Sequence, residues 1–209
     1  MTSEEARPPR RGRSVQKRDA ILDAARDVFT ADGYAGASVD AIAARAGVSK
    51  RTVYDHFGGK DPLFVAVLTR ETASLVAALR TAIEEELPAD ADPADALLPF
   101  ARRVATVTFA SSEYVAFRRL IATRGAPRGP SLPEDADPET LLAERLRDFD
   151  RAGRLRAPNP RRAAQHFVAL TFTLAFEALD APAGAGEDVD AILRDGTDAF
   201  LRAYGATAG

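Results

Sequence analysis

Residues 38–57, SVDAIAARAGVSKRTVYDHF, read as two short amphipathic segments broken by Gly47, and the second keeps almost all its polar side chains on the face its apolar ones leave free. Ser38 opens the first segment, where its hydroxyl can cap the free N–H groups of a first helical turn, and Val39, Ile42, Ala43 and Ala46 follow at helical spacing. Gly47 stops that helix, because glycine accepts the left-handed backbone that ends one. Val48 can then drop into the core under the bend and Ser49 can cap the next helix at once. A three-residue turn between helices is the helix-turn-helix arrangement.

In the second helix Val53 and Phe57 share one face, while Arg51 and Asp55 lie nearly opposite at about 100° per residue. Lys50, Thr52, Tyr54 and His56 fill the flanks. A helix of about nine residues presenting cations, a hydroxyl, a phenol and an imidazole fits a B-DNA major groove about 12 Å wide, where such groups meet base edges and phosphates. Taken alone, it reads equally well as a solvated helix whose Arg51 and Asp55 pair along its own surface. The neighbours favour the first reading. Upstream, Ile21, Ala25, Val28 and Phe29 mark one buried stripe on a helix expected over residues 16–32, ending before Gly33. Downstream, Gly58 and Gly59 break the chain, and Lys60, Asp61, Pro62, Leu63 and Phe64 start a new helix with proline in a permitted early position. Lys60 would sit where its ammonium and the positive end of the helix dipole both favour a phosphate.

The runs ILDAARDVF (21–29), Gly33, Ser38, IAARAGVS (42–49), TVYDHF (52–57) and KDPLF (60–64) together resemble the tetracycline-repressor (TetR) family of bacterial transcription regulators. The resemblance covers roughly residues 15–68, about a quarter of the chain, and spacing and residue type agree throughout. It implies a three-helix DNA-binding head on an all-helical ligand-binding and dimerising body. By position, the family's DNA contacts fall on Lys50, Arg51, Thr52, Tyr54, Asp55, His56 and Lys60, with Ser38 at the DNA backbone. Asp55 is an anion among phosphates. It either accepts a hydrogen bond from cytosine N4 or holds Arg51 for a guanine, and the orienting role is slightly favoured.

The charge pattern agrees. Residues 1–60 carry 11 Lys and Arg against 8 Asp and Glu, while the remaining 149 carry 17 against 23, so a net charge of −3 conceals a basic head. Duplex DNA should meet the head and be repelled by the body. Arg7, Arg10, Arg11 and Arg13, spaced by Pro8, Pro9 and Gly12, read as a disordered basic arm over residues 1–14. Such an arm either enters a minor groove through Arg10, Arg11 and Arg13 or serves as a solubilising, non-specific tail.

At 209 residues and 46% hydrophobic, the chain has enough apolar surface for a head over residues 15–61 and a larger body over residues 62–209. The absence of cysteine excludes disulfides, thiolate chemistry and cysteine–zinc sites. No apolar run approaches the ~18 residues of a membrane span, and the arginine-rich start lacks a signal peptide's hydrophobic segment, so a cytoplasmic protein without a membrane partner is expected. Proline and glycine divide the body into helices at 62–87, 93–109, 113–122, 138–151, 160–179 and 189–204, with a linker at 124–137. An all-α protein of about nine helices results. The helix at 62–87 joins head to body.

The helix from Pro160 carries two apolar stripes. One is Ala163, Phe167, Leu170, Leu174 and Ala178; the other is Val168, Phe172, Ala175, Phe176 and Leu179. A helix apolar on two sides needs two covers, its own domain and, on this reading, a second subunit. In the last helix Gly196, Ala199 and Ala203 would let a neighbour approach closely beside Phe200. Leu170, Leu174, Gly196 and Phe200 are therefore the expected homodimer interface; the alternative is that both helices merely close the monomer core. Phe109, Tyr114, Phe117, Phe149, Phe167 and Phe172 could line an apolar cavity for a drug-sized effector, or could simply fill the core. Arg118 and Arg119, together with Gln165 and His166, are candidate polar anchors, or ordinary solvated and hydrogen-bonded surface residues.

No glycine-rich phosphate loop and no metal-ligand cluster is present in the sequence, so neither an enzyme nor a cofactor is expected, and no catalytic residue or metal ligand is assigned. The function expected is a ligand-responsive repressor that binds a palindromic operator as a dimer and is released by a small apolar effector. An activator, or an architectural DNA-binding protein with the same head, remains as an alternative.

Overall fold

The computed structural model describes residues 10–108, 137–180 and 188–206. Among the described residues the chain is helical throughout, apart from one isolated antiparallel bridge between Leu155 and Gly205. The elements are α1 (Arg10–Gly36), α2 (Val39–Arg45), α3 (Lys50–Phe57), α4 (Lys60–Glu86) and α5 (Pro93–Arg103), which runs on into a π-helical turn at Val104–Thr108. After these come α6 (Pro138–Arg151), α7 (Pro160–Val168), a second π-helical turn at Ala169–Thr173, α8 (Leu174–Asp180) and α9 (Val189–Tyr204). The backbone stays helical from α7 through the π turn into α8, so the described residues hold eight helical rods. The ninth helix expected, at 113–122, and all but Asp137 of the expected linker lie outside them.

Helix starts follow local chemistry. Asp92, Asp137 and Asn159 each accept a hydrogen bond from a first-turn backbone N–H, and each is followed by a proline in the first turn, where its missing N–H costs nothing. α1 departs from expectation at both ends. It begins at Arg10 rather than near residue 16, so Arg10, Arg11 and Arg13 belong to its first turns. No proline follows Pro9 in this stretch, and Gly12 alone costs a helix only about 1 kcal/mol relative to alanine. The far end passes Gly33, which bends the helix at φ 69° and ψ 171°, and reaches Gly36.

The chain divides into two units between Thr72 and Ala73, inside α4. The reason is visible in the head core, where Leu63, Phe64, Val67 and Leu68 of α4 are buried with Ile21, Ala25, Val28 and Phe29 of α1, Val39 and Ile42 of α2, and Val53 of α3. Arg45 pairs with Asp27 at 2.6 Å and Arg70 with Asp23 at 2.9 Å, tying α2 and α4 to α1. α4 is also long and apolar enough to cross a bilayer by length and composition, with an 18-residue window of mean hydropathy 1.4, where the sequence reading expected no such run. Its buried positions identify it as a core helix: the later ones, Val76, Leu79, Ala82 and Ile83, pack in the body.

The body core joins those residues to Leu97 and Phe100 of α5, Leu146 and Phe149 of α6, Phe167 of α7, Phe172 of the second π turn, Ala175 of α8, and Leu193 and Phe200 of α9. The π turn decides which stripe faces inward. Uniform 3.6-residue periodicity would carry the face of Phe167 through Leu170 and Leu174, but a π turn closes i→i+5 bonds and delays the phase by a residue. Thr171, Phe172 and Ala175 are buried instead, while Leu170 and Leu174 remain 36% and 50% exposed.

Candidate nucleic-acid interface

The turn between α2 and α3 is closed by hydrogen bonds at each corner. The Ser38 hydroxyl accepts the Ala41 N–H at 3.1 Å and so starts α2. Beyond α2, the Gly47 N–H donates to the Ala44 carbonyl at 3.2 Å and the Val48 N–H to the Ala43 carbonyl at 3.0 Å, a helix-ending pattern that needs the left-handed φ of 65° at Gly47. Val48 packs against the head core. The Ser49 hydroxyl accepts the Thr52 N–H at 3.1 Å, and its oxygen lies 2.8 Å from the Thr52 hydroxyl. Gly58, at φ 80°, ends α3 with its N–H on the Tyr54 carbonyl at 2.8 Å.

α3 is one-sided. Val53 is 0% exposed, and Phe57 packs partly buried on the head core, with the Arg18 guanidinium 5.1 Å above its ring. On the opposite face the Arg51 side chain is 90% exposed and lies 3.8 Å from Asp55, close enough for attraction and too long for a hydrogen bond. Tyr54 is exposed as well, whereas Thr52 and His56 are half-buried. Lys50 is engaged: its ammonium donates to Asp40 of α2 at 2.9 Å, and that bond, with the carboxylate's charge, raises the lysine above its ordinary range. Asp40 did not figure in the sequence reading. Its only signal is an acidic residue in the first turn of α2, which helix-dipole stabilisation explains without a partner.

Lys60, the first residue of α4, lies against the end of α1. Its Nζ is 4.4 Å from the centroid of the Tyr34 ring and 3.5 Å from the Ala35 carbonyl oxygen, to which it donates. The Tyr34 phenol donates a short hydrogen bond to Asp61, and the accepting carboxylate pushes the phenol up to about 12. Tyr34 also packs edge-on to Phe64, with ring centroids 5.0 Å apart. Tyr34 lies 26 residues from Lys60, and nothing local in the sequence pairs them.

The side chains of Arg10, Arg11 and Arg13 lie outside what is described, as do Phe109, Tyr114 and Phe117. Phe149 and Phe167 are fully buried and Phe172 nearly so; Phe167 sits 5.2 Å from Phe200 and 5.9 Å from Phe172, centroid to centroid, both edge-on. Gln165 donates to Glu139 at 3.2 Å, and the Nδ1 of His166 lies 2.7 Å from the Tyr204 hydroxyl, so these two candidate anchors have partners within the chain, while Arg118 and Arg119 lie outside the described residues. Of the four expected interface residues, Gly196 and Phe200 are buried within this one chain. The other two of the four, Leu170 and Leu174, present apolar surface. Among the described residues no cluster of histidine and carboxylate side chains could hold a metal ion.

A capped two-helix turn, supported by a third helix and exposing a cationic face, defines a helix-turn-helix DNA-binding protein. Residues 21–67 match the bacterial regulatory proteins of the tetR family, and residues 95–206 match the C-terminal domain of AefR-like transcriptional repressors. A TetR-family transcriptional regulator from Mesorhizobium loti, of known crystal structure, is 28% identical with a TM-score of 0.75, over 92% of this chain and 98% of that one. The flavonoid-responsive regulator FrrA is 30% identical with a TM-score of 0.63, over 94% of this chain and all of its own. The transcriptional activator FasR of Mycolicibacterium smegmatis is 46% identical over 68 residues, 32% of this chain and 31% of FasR. The chain spans about a quarter to a third of the length of the curated relatives it matches. It belongs to the TetR family of bacterial regulatory proteins.

Proposed function

We propose that the protein is a ligand-responsive repressor that binds a palindromic operator as a homodimer in the cytoplasm, with α3 in the major groove. The observation that carries this reading is the one-sidedness of α3, with Val53 wholly buried and Arg51 almost wholly exposed. In this reading Arg51 reads a base edge with Asp55 orienting it, Lys50, Thr52, Tyr54 and His56 contribute further contacts, and Ser38 and Lys60 bind the DNA backbone. Lys50 must then exchange or share Asp40 when a phosphate arrives. Arg10, Arg11 and Arg13 on the first turns of α1 are proposed to add contacts beyond the major groove.

One short reading helix touches too few bases for useful specificity. Two related by a two-fold axis would read half-sites about 34–36 Å apart, or a multiple of that. Leu170 and Leu174 are the proposed apolar centre of the dimer surface. A small apolar effector in the body would release DNA by binding more tightly to the conformation that cannot span two half-sites, and that difference in affinity sets the size of the switch. α4, buried at one end among head residues and at the other among body residues, is the element through which the change would pass. The name of FrrA, a flavonoid-responsive regulator, supports an aromatic, weakly polar effector. A second reading, activation, is favoured by the name of FasR; the same DNA contacts serve either sign, which depends on where the site lies relative to a promoter.

Genome-wide mapping of bound sites, followed by a footprint of the strongest, tests the proposal. A two-fold symmetric footprint beside a promoter whose transcription rises when the gene is deleted is the expected result. Many dispersed sites with no transcriptional response would replace it with an architectural role.

A further inference from the structure

Lys60 has two candidate partners of opposite consequence. Its neighbour Asp61 could neutralise it, which would remove it from any anionic ligand. Instead, Asp61 accepts the hydrogen bond of the Tyr34 phenol, and Lys60 makes no ion pair with a carboxylate among the described residues. The ammonium lies over the Tyr34 ring, where attraction to the ring face lowers its energy without cancelling its charge. The Ala35 carbonyl accepts one hydrogen bond from the ammonium, which has three N–H donors. Packing holds the ring itself, since Tyr34 stacks with Phe29 at 6.1 Å and meets Phe64 edge-on at 5.0 Å.

We propose that Tyr34 is a positioning residue for the contact between Lys60 and a DNA phosphate: its phenol occupies Asp61, and its ring face holds the Lys60 ammonium unpaired at the start of α4. This rests on the DNA-binding reading above and adds to it a residue that touches no DNA. The phenol keeps its proton, and so its role as donor, throughout the neutral range, as any tyrosine does, and Asp61 displaces its titration further upward.

The test uses the full-length protein, a random-sequence duplex as probe and the salt dependence of binding. A phosphate contact is independent of sequence and adds about 0.9 to the slope of log affinity against log salt. Lys60→Ala should make the slope shallower by about that amount for each subunit of the bound dimer, Tyr34→Leu by at least half as much, and the double variant should show no further loss. Tyr34→Phe keeps the ring but frees Asp61, which then captures Lys60; duplex affinity should fall about two- to fivefold, as expected for a competing exposed ion pair. Asp61→Asn in the same chain should restore it by more than the same change raises wild-type affinity, a difference that a merely structural role for Tyr34 does not produce. If Tyr34→Leu fails to fold, the Tyr34→Phe and rescue pair decides. A reduced slope in Lys60→Ala with an unchanged slope in Tyr34→Leu, or no rescue by Asp61→Asn beyond its effect in the wild type, overturns the inference and leaves DNA binding intact. A wild-type chain that ignores duplex DNA removes the functional reading itself.

Discussion

A Cβ built on Gly196 would lie 2.0 Å from the Leu170 carbonyl oxygen and 3.1 Å from the Thr171 methyl, so α9 and the second π turn meet backbone to backbone. The small residue expected to admit a partner helix admits a neighbour from its own chain. Gly196→Ala must therefore push α9 off the turn, because the obstructing atom is backbone and cannot rotate away. Overpacking costs about 1–3 kcal/mol in most cores. A loss at the upper end of that range or beyond, read as a lowered midpoint in thermal or urea unfolding, is the expected outcome, and an unchanged midpoint would show that the two elements part easily.

Thr197, next in sequence, should respond with the opposite sign. Its side-chain oxygen is buried without a hydrogen-bond partner among the described residues, and a buried unsatisfied hydroxyl costs about 1–3 kcal/mol. Thr197→Val keeps the shape and removes the polar atom. The unfolding midpoint should rise, by roughly 1 kcal/mol of stability.

Arg51 and Lys60 should separate base reading from phosphate binding. Arg51→Ala is expected to relax base preference at one position in each half-site, by about 1–3 kcal/mol, with little change on random duplex. Lys60→Ala should weaken every sequence alike. Competition binding against single-base operator variants checks both, and identical behaviour of the two variants would exchange or erase the assigned roles.

Two carboxylates set an acid limit on stability. Burial raises Asp27, but hydrogen bonds and charge from Arg45, with Arg26 behind it, outweigh burial and hold it below the usual carboxylate range. Hydrogen bonds from Arg102 at 2.6 and 3.0 Å hold Asp190 low in the same way, helped by Arg194. With the folded values depressed, the unfolded chain binds more protons as the pH falls below about 4. Their contribution is present above that pH and is lost as the pH drops through the folded values. A chain with both Asp27→Asn and Asp190→Asn should show a shallower decline of melting temperature with acidification than the wild type.

Leu174 is half exposed on the rod that the sequence reading assigned to dimerisation. Leu174→Glu should leave the monomer folded, since the site is already open to solvent, while placing two charges in a two-fold apolar contact. Sedimentation at micromolar concentration should show the wild type as a dimer and the variant as a monomer. A wild type that sediments as a monomer would remove the dimer from the proposed mechanism.

The head was legible because its determinants are local. Ser38 and Ser49 cap helices three residues ahead of them, Gly47 and Gly58 take backbone angles that other residues resist, and the stripe Ile21, Ala25, Val28 and Phe29 needs only helical periodicity to be seen. The α3 boundaries agree with the expected ones to within a residue. The interface partners were not legible in the same way: Asp40 for Lys50 lies ten residues back, and Tyr34 for Lys60 belongs to a different helix.

The helix caps and the all-α architecture of the described residues were thus settled by hydrogen bonding and side-chain shape within a few residues, which a linear reading can follow. Which apolar stripe faces inward after Phe167 was decided only in three dimensions, where a π turn shifts the helical phase and brings Leu170 against Gly196. A single residue's delay in a 3.6-residue repeat leaves no mark in composition. It is selected by the fit of one helix against another, and that fit exists only once both are in place.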